Sequence, residues 1–170
     1  PSILSDALAV AFDNNVGHDY LQNYEERYDY YHKKEEKIEF DLEYFNKITK
    51  GGLPNKTLNI ALAGTGVGKS LFMCHHASSV LLQGRNVLYI TMEMAEEKIA
   101  ERIDANLLDV SIQNLNDLPK NTFEKKVINI SKKTQGQLII KEYPTASAHA
   151  GHFKTLLNEL ALKKSFRPDI

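Results

Sequence analysis

Ala63-Gly64-Thr65-Gly66-Val67-Gly68-Lys69-Ser70 is the stretch that decides the fold of this 170-residue chain. It fits the phosphate-binding loop pattern except at its first position, where Ala63 stands in place of glycine. Glycines let such a loop wrap so that successive backbone N–H groups point inward at phosphate oxygens, and the helix that follows adds its positive N-terminal end. In that chemistry Lys69 supplies a point charge between the β- and γ-phosphates, and the Ser70 hydroxyl is one ligand of Mg²⁺. A glycine-rich turn that merely joins a strand to a helix is the competing account of the same residues.

Context outward from the loop favours the first account. Thr57 to Ala63 reads as a buried strand, and Leu71 to Gln83 reads as a helix with apolar Leu71, Phe72, Cys74, Val80, Leu81 and Leu82. Gly84 is placed to cap that helix. Asn86 to Thr91 is a second strand. Ala95 to Leu108 is a helix in which Ile99, Ile103 and Leu107 repeat every four residues, with Glu96 and Glu97 in its first turn where the helix dipole favours them. A further helix spans about Thr122 to Thr134 and ends at Gly136, and Leu138 to Tyr143 forms a third strand closed by Pro144. Thr145 is expected to cap a last helix carrying Phe153, Leu156, Leu157 and Leu160, although Gly151 weakens its first turns. Strands alternating with helices specify an α/β fold with a parallel sheet. Arg167, Pro168, Asp169 and Ile170 fall where another strand should start.

Composition shifts near residue 38. Leu4, Ala7, Leu8, Ala11 and Phe12 recur at helical spacing over residues 3–12, followed by the turn-prone run Asp13, Asn14, Asn15. A second helix is expected over residues 18–34, where Tyr20, Tyr24, Tyr28 and Tyr31 share one face. That stripe suits packing against the chain's own globular part or docking on a neighbouring subunit. The mixed-sign run Lys33 to Lys37 reads as a solvated helix end. Residues 1–37 thus read as a tail-like helical segment ahead of an α/β part over residues 38–170.

With 21 Lys plus Arg against 22 Asp plus Glu, 42% hydrophobic and 25% charged residues, the composition is that of an ordinary globular protein. No apolar run approaches the ~18 residues a membrane helix needs. One cysteine, Cys74, forbids an internal disulfide and points to a reducing, cytoplasmic setting. The net charge of -1 by itself argues against binding nucleic acid through bulk positive charge.

Glu93, in the run Thr91, Met92, Glu93, Met94 after the second strand, should lie on the same carboxyl edge of the sheet as the loop. A carboxylate there orients and polarises a water for attack on a γ-phosphate; an acidic residue simply favoured by the next helix dipole is the alternative. His75 and His76 are adjacent and point different ways, and His149 and His152 lack carboxylate or thiol partners, so neither pair is read as a metal site. Lys125, Lys126, Lys132 and Lys133 read as a solvated basic side of their helix, and Cys74 as a buried inert thiol.

Gly51, Gly52, Leu53, then TLNIALAGTGVGKSLF, then NVLYITMEMAEEKIAERI together resemble the C-terminal ATPase domain of hexameric replicative DNA helicases of the DnaB type, in particular the branch found in T4-like bacteriophages. The likeness runs from about residue 38 to the end. It implies a RecA-like P-loop NTPase fold, ATP hydrolysis with Mg²⁺, a homo-hexameric ring, translocation on single-stranded DNA, cooperation with a primase and residence in the host cytoplasm. It implies nucleotide contacts at Gly64, Thr65, Gly66, Val67, Gly68, Lys69, Ser70 and Leu71, and casts Lys69 and Glu93 as catalytic. It recasts the helix at residues 3–12 as a linker helix that packs on the adjacent subunit. The acidic strand that completes the Mg²⁺ site, the DNA-binding loops and the arginine finger are expected after Ile170, so these residues read as part of a longer protein whose isolated piece is nearly inactive; the -1 then describes only its nucleotide-binding half. Two further functions fit the same motifs: a RecA-like recombination or signalling ATPase, and a non-catalytic nucleotide-binding assembly module.

Overall fold

A computed structural model describes residues 17–170. The helix expected over residues 3–12 and the turn-prone run at 13–15 lie outside the described residues. The chain divides into two compact units, Pro1–Glu35 and Glu36–Ile170.

In the first unit, α1 covers Tyr24–His32, shorter than the expected 18–34. The start is set by Asp19, whose carboxylate accepts the backbone N–H groups of Leu21 and Gln22 at 3.0 and 2.9 Å and holds residues 19–22 in a turn. Tyr20 therefore precedes the helix, where its ring takes the Arg27 guanidinium 4.3 Å from its centroid. All five tyrosines of this unit are exposed.

The second unit opens with a two-residue antiparallel pair, β1 (Lys37–Ile38) and β2 (Leu53–Pro54), flanking α2 (Glu43–Thr49). Gly52 passes so close to β1 that a Cβ would sit 2.2 Å from the Ile38 carbonyl oxygen, at a φ of +113°. Only glycine fits both conditions. Strands of two residues carry no readable period, and the sequence reading does not contain this hairpin or α2.

The rest alternates helices and strands: α3 (Lys69–Leu82), β3 (Val87–Thr91), α4 (Glu96–Leu108), the short α5 (Ile112–Leu115), α6 (Lys120–Ser131), β4 (Leu138–Glu142) and α7 (Ala150–Lys164). β3 and β4 pair in parallel from Val87↔Leu138 to Thr91↔Glu142. A parallel pair needs a long crossover, and α4 to α6 supply it. Two apolar clusters fix the helices on this ribbon. One joins Ile38, Ala77, Val80 and Val87; the other joins Cys74, Ile99 and Ile103, with Tyr89 and Leu138 packed against both. On the free edge of β3, Ile170 donates its N–H to Asn86 and accepts from Leu88 N–H at 2.9 Å, the bond pattern of a parallel neighbour of Val87. The chain end thus runs along β3, where a further strand is expected.

Four sequence expectations are corrected. Thr57 to Ala63 is not a buried strand: it belongs to no sheet, and Leu58, Ile60 and Leu62 are 87, 77 and 94% exposed. A strand exists only through a neighbour's ladder, and among the described residues none lies alongside it. Thr145 does not cap α7. His149 does, its Nδ1 accepting from Gly151 N–H at 3.0 Å while His152 Nδ1 accepts from His149 N–H at 3.2 Å. Gly151 is then an asset, because a Cβ there would meet the His149 ring at 2.8 Å. Lys126 is not solvated with its neighbours; its Nζ donates at 2.7 Å to the Leu108 carbonyl at the end of α4.

Candidate functional site

The loop before α3 is shaped by glycine. Gly66 and Gly68 have φ of +76° and +102°, left-handed conformations that a Cβ disfavours, and Gly68 is the residue at which the helix begins, its carbonyl accepting from Phe72 N–H at 2.9 Å. Among the described residues, no side-chain hydrogen bond caps α3 at Gly68. Its first N–H groups are therefore left for an outside acceptor, which is the physical requirement for an anion seat on a 14-residue helix. Gly64, Thr65, Gly66, Val67, Lys69 and Leu71 are exposed, and Ser70 is half-buried in the first turn. Ala63 sits half-buried at the loop's start.

The direction of α3 brings this loop to the carboxyl edge of the sheet. Val80 packs against Val87 at the start of β3, and Cys74 lies beside Tyr89 in its middle, Sγ to hydroxyl 3.9 Å. Helix and strand therefore run in opposite senses. Five more residues toward the start of α3, at ~1.5 Å each, match about two residues of strand at ~3.3 Å each, which carries Lys69 to the level of Thr91. The connection Met92–Ala95, holding Glu93, leaves β3 at that same level.

That connection is held at both shoulders of Glu93. The Thr91 hydroxyl, on a residue 6% exposed, accepts from Met94 N–H at 3.1 Å and donates to the Met94 carbonyl at 2.9 Å. The Thr145 hydroxyl, from the segment after β4, donates to the Met92 carbonyl at 2.8 Å. Beyond it, Glu96 and Glu142 exchange bonds across the ends of α4 and β4: each carboxylate accepts the other's backbone N–H, at 2.8 and 3.3 Å. Lys141 Nζ stands 3.5 Å from Glu96. Glu93 itself is exposed. Sequence reasoning placed Glu93 after the strand but missed the bonds made by Thr91 and Thr145 and the Glu96–Glu142 exchange; a threonine directly after Pro144 carries the same pattern whether it caps a helix or holds a distant carbonyl.

Below the loop, an apolar cleft of about 720 Å³ runs between residues 57–63 and α3, lined by Phe40, Phe45, Phe72 and His76 among others. Val67, Gly68 and Lys69 form its upper rim. Its walls are mostly apolar, with Thr49, Thr57, Asn59 and His76 the polar residues among them, which does not suit a triphosphate. His76 is 6% exposed, with its ring centroid 4.6 Å from that of Phe40, and neither ring nitrogen has a hydrogen-bond partner within the described residues. Burial pushes its pKa down, Asp41 opposing and His75 adding to the shift. His75 faces elsewhere, Nε2 at 2.5 Å from the Asp41 carboxylate and Nδ1 accepting from Asn106 at 2.8 Å. Burial also raises the Cys74 thiol and takes the Tyr89 phenol to about 12, which leaves both groups uncharged. Among the described residues, no group of three or more His, Cys, Asp and Glu is placed to hold a metal. His149 and His152 spend their Nδ1 lone pairs on backbone N–H groups. No described helix is long and apolar enough to cross a membrane.

Comparison with known proteins adds to this geometry. The family described as DnaB-like helicase C terminal domain matches residues 38–160. A relative described as a DnaB-like replicative helicase, from Enterobacteria phage T4, is 49% identical over 173 residues, an alignment that covers all of this chain and 36% of the relative. The chain thus spans about a third of the length of the curated relative it matches.

Proposed function

Since the chain belongs to the DnaB-like helicase C-terminal domain family, we propose that it is the ATP-binding part of a replicative DNA helicase, coupling ATP hydrolysis to movement along single-stranded DNA and to duplex unwinding. The observation that carries this is the convergence on one sheet edge of the uncapped, glycine-turned start of α3 and the anchored connection bearing Glu93. The RecA-like sheet, the homo-hexameric ring, cooperation with a primase and location in the host cytoplasm belong to the same proposal.

In this reading the backbone N–H groups of residues 64–70 and the Lys69 ammonium hold the β- and γ-phosphates, with Leu71 extending the contact along the first turn. The γ-phosphate needs an in-line water, and Glu93 takes a proton from it as the water oxygen bonds to phosphorus. The bond from phosphorus to the β,γ-bridging oxygen breaks, leaving ADP and inorganic phosphate. The Ser70 hydroxyl, in the first turn of α3, would hold a Mg²⁺ ion, which when bound would supply charge neutralisation to the phosphates. Charge stabilisation by an arginine of a neighbouring subunit completes such sites.

Two substitutions in the complete protein test the proposal. Lys69→Ala should abolish ATP binding and unwinding together. Glu93→Gln should keep ATP binding while turnover falls by at least about a hundredfold, within the range of general-base losses. ATP binding without turnover in the unsubstituted complete protein would instead support a passive nucleotide-binding module, and unchanged turnover in Glu93→Gln would refute Glu93 as the base. Strand pairing without unwinding by the complete protein would support a recombination ATPase.

A further inference from the structure

Glu93 sits on a short connection, exposed, and its carboxylate direction depends on how the backbone on either side is held. The Met92 carbonyl and the Glu93 N–H belong to one planar peptide unit, so whatever fixes that oxygen fixes the plane from which Glu93 departs. The group that fixes it is a single hydroxyl. Thr145 Oγ1 donates to it at 2.8 Å from 53 residues further along the chain. The opposite shoulder, Met94, is held by Thr91 within the connection itself. Thr91 is buried and local, whereas Thr145 is exposed and belongs to the turn after β4, where Ser147 N–H donates to the Pro144 carbonyl at 3.0 Å and Ala146 adopts a φ of +59°.

We propose that Thr145 is a positioning residue for Glu93, its hydroxyl setting the orientation of the Met92–Glu93 peptide and hence the aim of the carboxylate at the attacking water. This rests on the reading of Glu93 as the base. The bond adds little to folding, because a single exposed hydroxyl bond contributes on the order of 1 kcal/mol. It matters because a reacting group displaced by about 1 Å loses up to about a hundredfold in rate. Thr145 also makes the base answerable to a second element: a shift of the turn after β4 moves the Met92 carbonyl, whereas it leaves the phosphate loop untouched.

The experiment compares Thr145→Val, which keeps the shape and removes the hydroxyl, with Thr145→Ser, which keeps the hydroxyl, in the complete protein. Steady-state ATP hydrolysis and thermal unfolding are measured on both. Thr145→Val should lower kcat about tenfold with KM for ATP and Tm unchanged, and Thr145→Ser should stay within about twofold of wild type. In a Glu93→Gln background, Thr145→Val should cost nothing further, since it acts through the missing carboxylate. A kcat for Thr145→Val within twofold of wild type, with Glu93→Gln inactive, overturns the positioning role alone. So does a loss that tracks a lowered Tm and that serine fails to restore. Full turnover in Glu93→Gln overturns the base assignment beneath it.

Discussion

His76→Phe should make this protein more stable, and less sensitive to acid. The imidazole is 6% exposed, stacked on Phe40, and leaves both ring nitrogens without partners among the described residues. A buried polar atom lacking a hydrogen bond costs about 1–3 kcal/mol relative to an apolar isostere. Phenylalanine keeps an aromatic ring between Phe40 and Phe72, and the extra ring volume has room because His76 borders the 720 Å³ cleft. The expected gain at pH 7.5 is therefore about 2 kcal/mol. The acid effect follows from protons. The folded-state pKa is lowered, so the unfolded chain binds the proton more readily, and wild type loses stability as pH falls through the ordinary histidine value near ~6.5. The slope cannot exceed ~1.4 kcal/mol per pH unit from this one group, and it should vanish in the phenylalanine variant. Urea unfolding followed by circular dichroism at pH 7.5, 6.5 and 5.5 gives both quantities. A variant that is less stable than wild type, or that loses stability with the same slope, would refute the claim that the imidazole is an unsatisfied neutral group.

Two further outcomes follow from the packing. Ile99→Ala deletes side-chain carbons from a residue 1% exposed at the centre of the cluster with Cys74 and Ile103, and should cost about 2–5 kcal/mol. The denaturation midpoint should fall, and because Met94 packs on the same cluster, amide exchange along residues 92–95 should quicken. His149→Ala should lower stability by about 1 kcal/mol through loss of the α7 cap, with His149→Asp restoring it because a carboxylate accepts the same N–H, as thermal unfolding would report.

Sequence and structure divide the labour at identifiable residues. The glycine-rich turn, α3, β3, α4 and β4 were legible because glycine positions, helical spacing at Ile99 and Ile103, and short β-branched runs report local physics that neighbours reinforce. The run Thr57 to Ala63 has the same apolar alternation and yet pairs with nothing among the described residues. Pattern shows that a segment is suited to a ladder, whereas hydrogen bonds to a second strand decide whether it forms one. Lys126 and Thr145 fail to read for a related reason. Their types and positions fit a solvated face and a helix cap, and each instead reaches a carbonyl 18 or 53 residues away.

What the sequence determined by itself was residue type and local form: a glycine-rich turn ahead of a helix, a carboxylate after a strand, and one cysteine in an apolar helix face. Tertiary structure alone decided that the Thr145 hydroxyl holds the Met92 carbonyl and that Lys126 reaches the Leu108 carbonyl. Residue types fix which bonds a side chain is able to make. Which partner it meets is set by long-range packing, and no local period records it.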